Sequence, residues 1–222
     1  MKLLPAFIAP LMLLSLSART AAQDIPTACS NLTAPGPGEW VEYDVTTSEG
    51  AGVLRFALVP NAGSGLLMEL TMTTGGESFI MQFDVPGYPY DPSQIRQMVI
   101  KAPGQPAMVM PQGMMRRMGD NPMEGPMNGL AKCLEATYVG RETLQAGGST
   151  YDTDHIRPTG ADTDVWISAD VPFGIVKTAQ KGDTMTLRDS GTGAVSSITE
   201  TPQQMPSLPG MPGRGRIPGI PR

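Results

Sequence analysis

One histidine, two cysteines, a group of aspartates and a run of methionines are the residues of this chain best suited to chemistry. His155 stands in Tyr151-Asp152-Thr153-Asp154-His155-Ile156-Arg157, whose alternation reads as a strand. Period two puts Tyr151, Thr153, His155 and Arg157 on one face, with Asp152, Asp154 and Ile156 on the other. His155 and its flanking aspartates therefore point apart. The expectation is a strand histidine hydrogen-bonded on a sheet face, not a metal ligand. Asp152, Asp154, Asp162 and Asp164 flank the turn Pro158-Thr159-Gly160-Ala161. Carboxylate oxygens suit calcium, but this spacing is not that of an EF-hand loop, and a solvated acidic hairpin is expected. The chain has no Gly-x-Ser-x-Gly elbow, no His-Glu-x-x-His, no Cys-x-x-Cys and no phosphate-binding glycine loop. It reads as non-enzymatic and as needing no cofactor.

Cys29 and Cys133 are an even, low count, which in an oxidising compartment suggests one disulfide. Acylation of Cys29 is the rival, although Pro26-Thr27-Ala28 makes a poor acylation signal, and free thiols are a third outcome. The methionines crowd into one stretch. Met108, Met110, Met114, Met115 and Met118 are its core, with Met123 and Met127 beyond. Thioethers are soft ligands for Cu(I), which makes these weak copper candidates. Such sites usually add His or Cys, and Arg116 and Arg117 would repel a second cation. An adaptable apolar loop is the plainer expectation.

These residues sit in an exported frame. Met1-Lys2, the apolar run Leu3 to Leu16 and the small residues Thr20-Ala21-Ala22 make a secretory signal peptide over 1–22. The run is short for a membrane span, and no later run reaches the length that one needs. The expected location is the periplasm or the periphery of the outer envelope. Removing Lys2 and Arg19 takes the net charge from −5 to −7, which argues against nucleic acid as a partner. Residues 23–38 read as a linker and 39–200 as one β domain. Two segments resist packing. Residues 102–129 hold five Pro, five Gly and seven Met, and 201–222 form a Pro/Gly-rich tail expected to be disordered.

Between these segments the apolar residues alternate. Leu54 and Phe56 share a face with Leu58, as do Met68 and Leu70 with Met72, and Phe79, Met81 and Phe83 with Val85. Turn signals such as Gly75-Gly76, Gly147-Gly148 and Lys181-Gly182-Asp183 separate such runs. Strands are expected near 39–47, 52–60, 65–74, 77–85, 95–101, 106–110, 134–145, 149–158, 163–169 and 174–180, with further ones near 183–189 and 194–200. Helix is scarce; the candidates lie at Met114–Met118 and Gly129–Cys133. The fold class is mainly β: a single curved antiparallel sheet, a half-barrel or incomplete barrel meander, with few short helices.

Three segments carry a resemblance: Tyr138-Val139-Gly140-Arg141-Glu142-Thr143, then Ala146 to Arg157, then Asp164-Val165-Trp166-Ile167-Ser168-Ala169-Asp170 on to Lys177. The order of strands and turns resembles uncharacterised exported bacterial β proteins grouped loosely with the Lol lipoprotein carriers. The resemblance implies a strongly curved, incomplete barrel whose apolar concave face lies under a lid and, in the carriers, holds acyl chains. The Lol-type helices are hard to find in this sequence, and the Met-rich segment sits where the resemblance places a lid.

The leading expectation is binding of a lipid or other apolar ligand by Leu54, Phe56, Met68, Leu70, Phe79, Met81 and Phe83. The alternatives are a structural envelope protein whose apolar face is filled by its own side chains, with the tail recognising an envelope partner, and Cu(I) binding by the methionines.

Overall fold

The structure, a computed structural model, describes residues 27–61, 65–88, 90, 92–111 and 133–205. Residues 1–22, read above as a signal peptide, most of the Met-rich segment and residues 206–222 lie outside the described residues. Twelve strands form one curved, mainly antiparallel sheet: β1 (Trp40–Thr47), β2 (Gly50–Pro60), β3 (Leu66–Thr74), β4 (Glu77–Val85), β5 (Gln97–Lys101), β6 (Met108–Val109), β7 (Thr137–Ala146), β8 (Ser149–Arg157), β9 (Asp164–Ile167), β10 (Ile175–Gln180), β11 (Asp183–Gly191) and β12 (Gln203–Gln204). Their order is β12-β6-β5-β4-β3-β2-β1-β11-β10-β9-β8-β7, so the described sheet does not close on itself. Among the described residues one helix, Thr27–Asn31, precedes it, and Pro92–Gln94 and Cys133–Glu135 are single 3-10 turns.

Two meanders meet in the middle. β1 to β6 run outward to one edge. After β6 the chain resumes at the opposite edge with β7 and returns strand by strand to β11, which pairs with β1. Glycine makes the tight returns. Gly75 and Gly76 between β3 and β4 have φ of 59° and 84°, and Gly147 and Gly148 between β7 and β8 have 54° and 73°. Two-residue hairpin loops with both residues at positive φ match the twist of the strands they join. Gly147 has a second constraint, since a Cβ there would lie 2.8 Å from the Arg188 carbonyl oxygen.

Alternation sorts the side chains as the sequence implies. One face carries Val41, Tyr43, Leu54, Phe56, Leu58, Met68, Phe83, Val85, Met98, Met185 and Leu187 in a single buried cluster. Two corrections concern the C-terminal part. No strand forms at 194–200; that segment crosses the back of the sheet. Gln203–Gln204, inside the expected tail, pair in parallel with Met108–Val109 as β12. Apolar contacts of Ala194 and Ile198 with the back face, and bonds from Ser196 and Ser197 to Glu69, hold the crossing segment without backbone pairing as a strand. The Met114–Met118 helix candidate lies outside the described residues, and Cys133 opens a 3-10 turn.

Cys29 and Cys133 are joined by a disulfide, with their Cα atoms 5.7 Å apart. The bonded Cys29 sulfur has no free thiol to acylate. The bridge packs Cys29 of the 27–31 helix, and Leu32 just after it, over Ile156, Val165 and Ile167.

Candidate functional site

The seven residues expected to bind an apolar ligand do share one face. Register places Phe56 opposite Leu70 and Leu70 opposite Met81, with Met68 opposite Phe83 and Met72 between Leu54 and Phe79. Met81 in turn faces Ile100, and Ile100 faces Met108. Cross-strand neighbours of this kind merge into continuous rows.

The rows are covered unevenly. Leu54, Phe56, Met68 and Phe83 are buried among the protein's own side chains. The cover comes from two loops. The β9–β10 loop inserts Val171 and Phe173, and the β4–β5 loop brings Tyr88 and Tyr90. Phe173 lies 6.2 Å from Phe56 and 5.5 Å from Tyr88, centroid to centroid, and Tyr88 lies 6.4 Å from Tyr90. Burial pushes the Tyr88 and Tyr90 hydroxyls up to about 12, so both remain neutral donors. Burial likewise raises Tyr43, whose hydroxyl donates to the Ile175 carbonyl at 3.1 Å. Phe173 holds φ at 64° while almost wholly buried. A bulky residue in that region is strained, and the surrounding packing must impose it. Two bonds shape its loop, Ser168 N–H to the Gly174 carbonyl and Gly174 N–H to the Val171 carbonyl.

Beyond Phe56 the cover thins. Leu70, Phe79, Met81, Ile100 and Met108 are only half-buried, and Met72 is 36% exposed. The structure thus divides the expected site into a self-filled part and a half-open part. Met110, a copper candidate, is buried in the core cluster. Met114, Met115 and Met118 lie outside the described residues. Among the described residues no group of three or more His, Cys, Asp and Glu could hold a metal ion.

The back face holds a polar arrangement that the sequence did not announce. Trp40, Ala57, Glu69, Gln82 and Val99 stand opposite one another across β1 to β5. The segment 192–200 runs along this row. Ala194 packs on Ala57 and Val59, and Ile198 on Ile80, Val99 and Ala107. Between them the buried Glu69 carboxylate accepts from Gln82 Nε2 at 3.0 Å, Ser196 Oγ at 3.1 Å and the Ser197 N–H at 3.1 Å. Arg55 Nη1 approaches Glu69 to 3.9 Å, and its guanidinium lies over Trp40 at 5.2 Å. Glu200 ends the crossing on Lys101, a bond that holds its carboxyl below the usual range.

His155 is bonded on a sheet face as expected, but its partners differ from its sequence neighbours. Nδ1 lies 3.0 Å from Glu142 Oε1 on β7, and Nε2 lies 2.8 Å from Asp164 Oδ1 on β9. Asp164 is therefore not a solvated hairpin acid. The His155 hydrogen bond, aided by Arg157 at 2.7 Å, holds its carboxyl below the ordinary carboxylate range. The imidazole stacks on Trp166 at 4.3 Å, and Lys177 Nζ lies 4.9 Å from the same indole. Only the strand register brings Glu142, His155 and Trp166 together, and short-range spacing carries no sign of it.

No protein-family model matches the chain, and no curated protein matches it. Among solved structures it is similar to an exported protein with a YmcC-like fold from Bacteroides fragilis, at 11% identity and a TM-score of 0.35, over 72% of this chain and 99% of that one. It is also similar to the MucB chain of the Pseudomonas aeruginosa MucA/MucB complex, at 10% identity and a TM-score of 0.35, over 77% of this chain. A structure of MucB alone gives 12% identity and a TM-score of 0.35 over 79% of this chain. The chain spans 56% and 60% of those two MucB chains. Likenesses of this size bear on neither the fold nor the function of this chain, and they do not show the Lol-type resemblance.

Proposed function

We propose that this is an exported, non-enzymatic envelope protein that binds a lipid or other apolar ligand at the half-open end of its core face. The observation that carries this reading is the row Leu70–Met81–Ile100–Met108, flanked by Met72 and Phe79. It continues the buried core yet is only half covered. Removing apolar surface from water contributes about 25 cal/mol per Å², so such a row favours an apolar occupant. Its flexible methionines adapt to varied shapes. The Cys29–Cys133 disulfide suits an oxidising compartment and supports the export signal read in residues 1–22.

A second reading, structural or partner-binding, is favoured by the self-filled part of the same face, where Phe173, Tyr88 and Tyr90 already occupy the space over Phe56. Titration with a fluorescent fatty acid separates the two. The first reading expects saturable binding by the wild type, weakened at least about tenfold in Met72→Asp; that ratio equals roughly 1.4 kcal/mol. Met72 is exposed enough for the charge to leave the fold intact, which circular dichroism checks. No saturable binding by the folded wild type leaves the second reading standing.

A further inference from the structure

His155 is the only histidine in the chain, and it lies between two carboxylates from two different strands. A neutral imidazole carries one N–H and can donate to one of them; an imidazolium donates to both. The surroundings leave little alternative. Thr153 Oγ1 donates to the Glu142 carbonyl and so fixes β7 beside the ring. Arg157, two residues along β8, bonds Asp164 through Nε and Nη2 but offers nothing to Glu142. Lys177 on β10 is separated from the imidazole by the Trp166 indole, because Lys177, Trp166 and His155 are register partners in that order. When the ring loses a proton, Asp164 therefore keeps Arg157, whereas Glu142 has no second cation bonded to it among the described residues.

β7 is the strand that this bond ties in, beside its backbone pairing with β8 and the Thr153 bond to the Glu142 carbonyl. It is the last strand of the sheet, and among the described residues it pairs only with β8. Its C-terminal end is held by the Gly147 turn against Arg188. Upstream, the Cys29–Cys133 bridge and the Thr159 hydroxyl bonded to the Glu135 carbonyl anchor the chain. Between these anchors the N-terminal half of β7 is mostly exposed, with Val139 49% accessible and a register shift between Tyr138 and Gly140.

We propose that His155 is a pH-sensitive clamp: as an imidazolium it ties β7 to β8 and β9 through Glu142 and Asp164, and on losing a proton it releases the N-terminal half of β7. The device would give the sheet an edge whose availability follows the acidity of its surroundings.

Amide hydrogen exchange on the intact protein tests it, corrected for the intrinsic pH dependence of exchange. NMR of the single imidazole locates its titration on the same sample without an assignment problem. Protection of the β7 amides bonded to β8 should fall roughly tenfold across that titration, about the worth of one charge-assisted hydrogen bond. Protection in β2 and β3 should stay level. His155→Phe, which keeps an aromatic ring against Trp166, should abolish the step, and Glu142→Gln should shrink it. Level β7 protection across the wild-type titration overturns the proposal, and so does a step of equal size in His155→Phe.

Discussion

Glu69 and His155 are the residues at which reading the chain and folding it part company. In the sequence Glu69 is the polar member of an alternating strand, a position that normally faces water. In the structure its side chain is fully buried, because Ser196 and Ser197, more than a hundred residues later, close over it. A buried carboxylate is stable only when its bonds are satisfied, and removing one member of such a set leaves the others orphaned. Glu69→Ala should cost about 3 kcal/mol in chemical denaturation. An effect near zero would mean that the crossing segment is held by its apolar contacts alone. Asp164 gives the matching pH prediction. Its folded-state pKa lies below its unfolded value, so the stability it contributes is complete above the ordinary carboxylate range and is lost as pH falls through the folded value. The stability gap between wild type and Asp164→Asn should therefore narrow as pH drops from about 5 to about 2. A gap that is constant over that span would show that the bond to His155 does not hold the proton off. Alternation placed His155 on the correct face, but pairing with Glu142 and Asp164 depends on which strands become neighbours, and period two is silent about that.

At the scale of elements, the strands and tight turns were largely readable and the connections were not. Gly75-Gly76 and Gly147-Gly148 mark their hairpins because only positive φ closes them. The run from Leu54 to Val85 shows its alternation openly, and its residues pair as that alternation implies. The 194–200 stretch misled because short apolar residues spaced by serines look like a strand, whereas here they alternate against the back of the sheet without pairing. The Cys29–Cys133 bridge closes a separation of 104 residues and pins the 27–31 helix over Ile156, Val165 and Ile167. Constraint of so long a loop in the unfolded chain is worth about 4 kcal/mol. Cys133→Ser should lower stability by roughly that amount, measured against the oxidised wild type. A loss under about 1 kcal/mol would show that the unfolded chain is already compact around the pair.

At the scale of the molecule, the described residues form two antiparallel meanders joined through β1 and β11, with a C-terminal segment returning across the back to β6. The mainly β class and the curved sheet were legible because one-sided alternation requires a sheet that covers its own apolar face. The junction between the meanders was not, since a chain that leaves one edge and resumes at the other writes no local signal. How far that apolar face was self-filled was equally hidden, because the plug comes from Phe173, a loop residue in a strained conformation that sequence patterns do not flag. The half-open row from Leu70 to Met108 carries the central claim. Native mass spectrometry of the untagged mature protein, purified gently from its own host, tests it most directly. Binding at that row predicts excess mass in the range of a lipid, lost on denaturation and absent from Met72→Asp. A bare polypeptide mass for the wild type, lighter only by the two hydrogens of the disulfide, would contradict it.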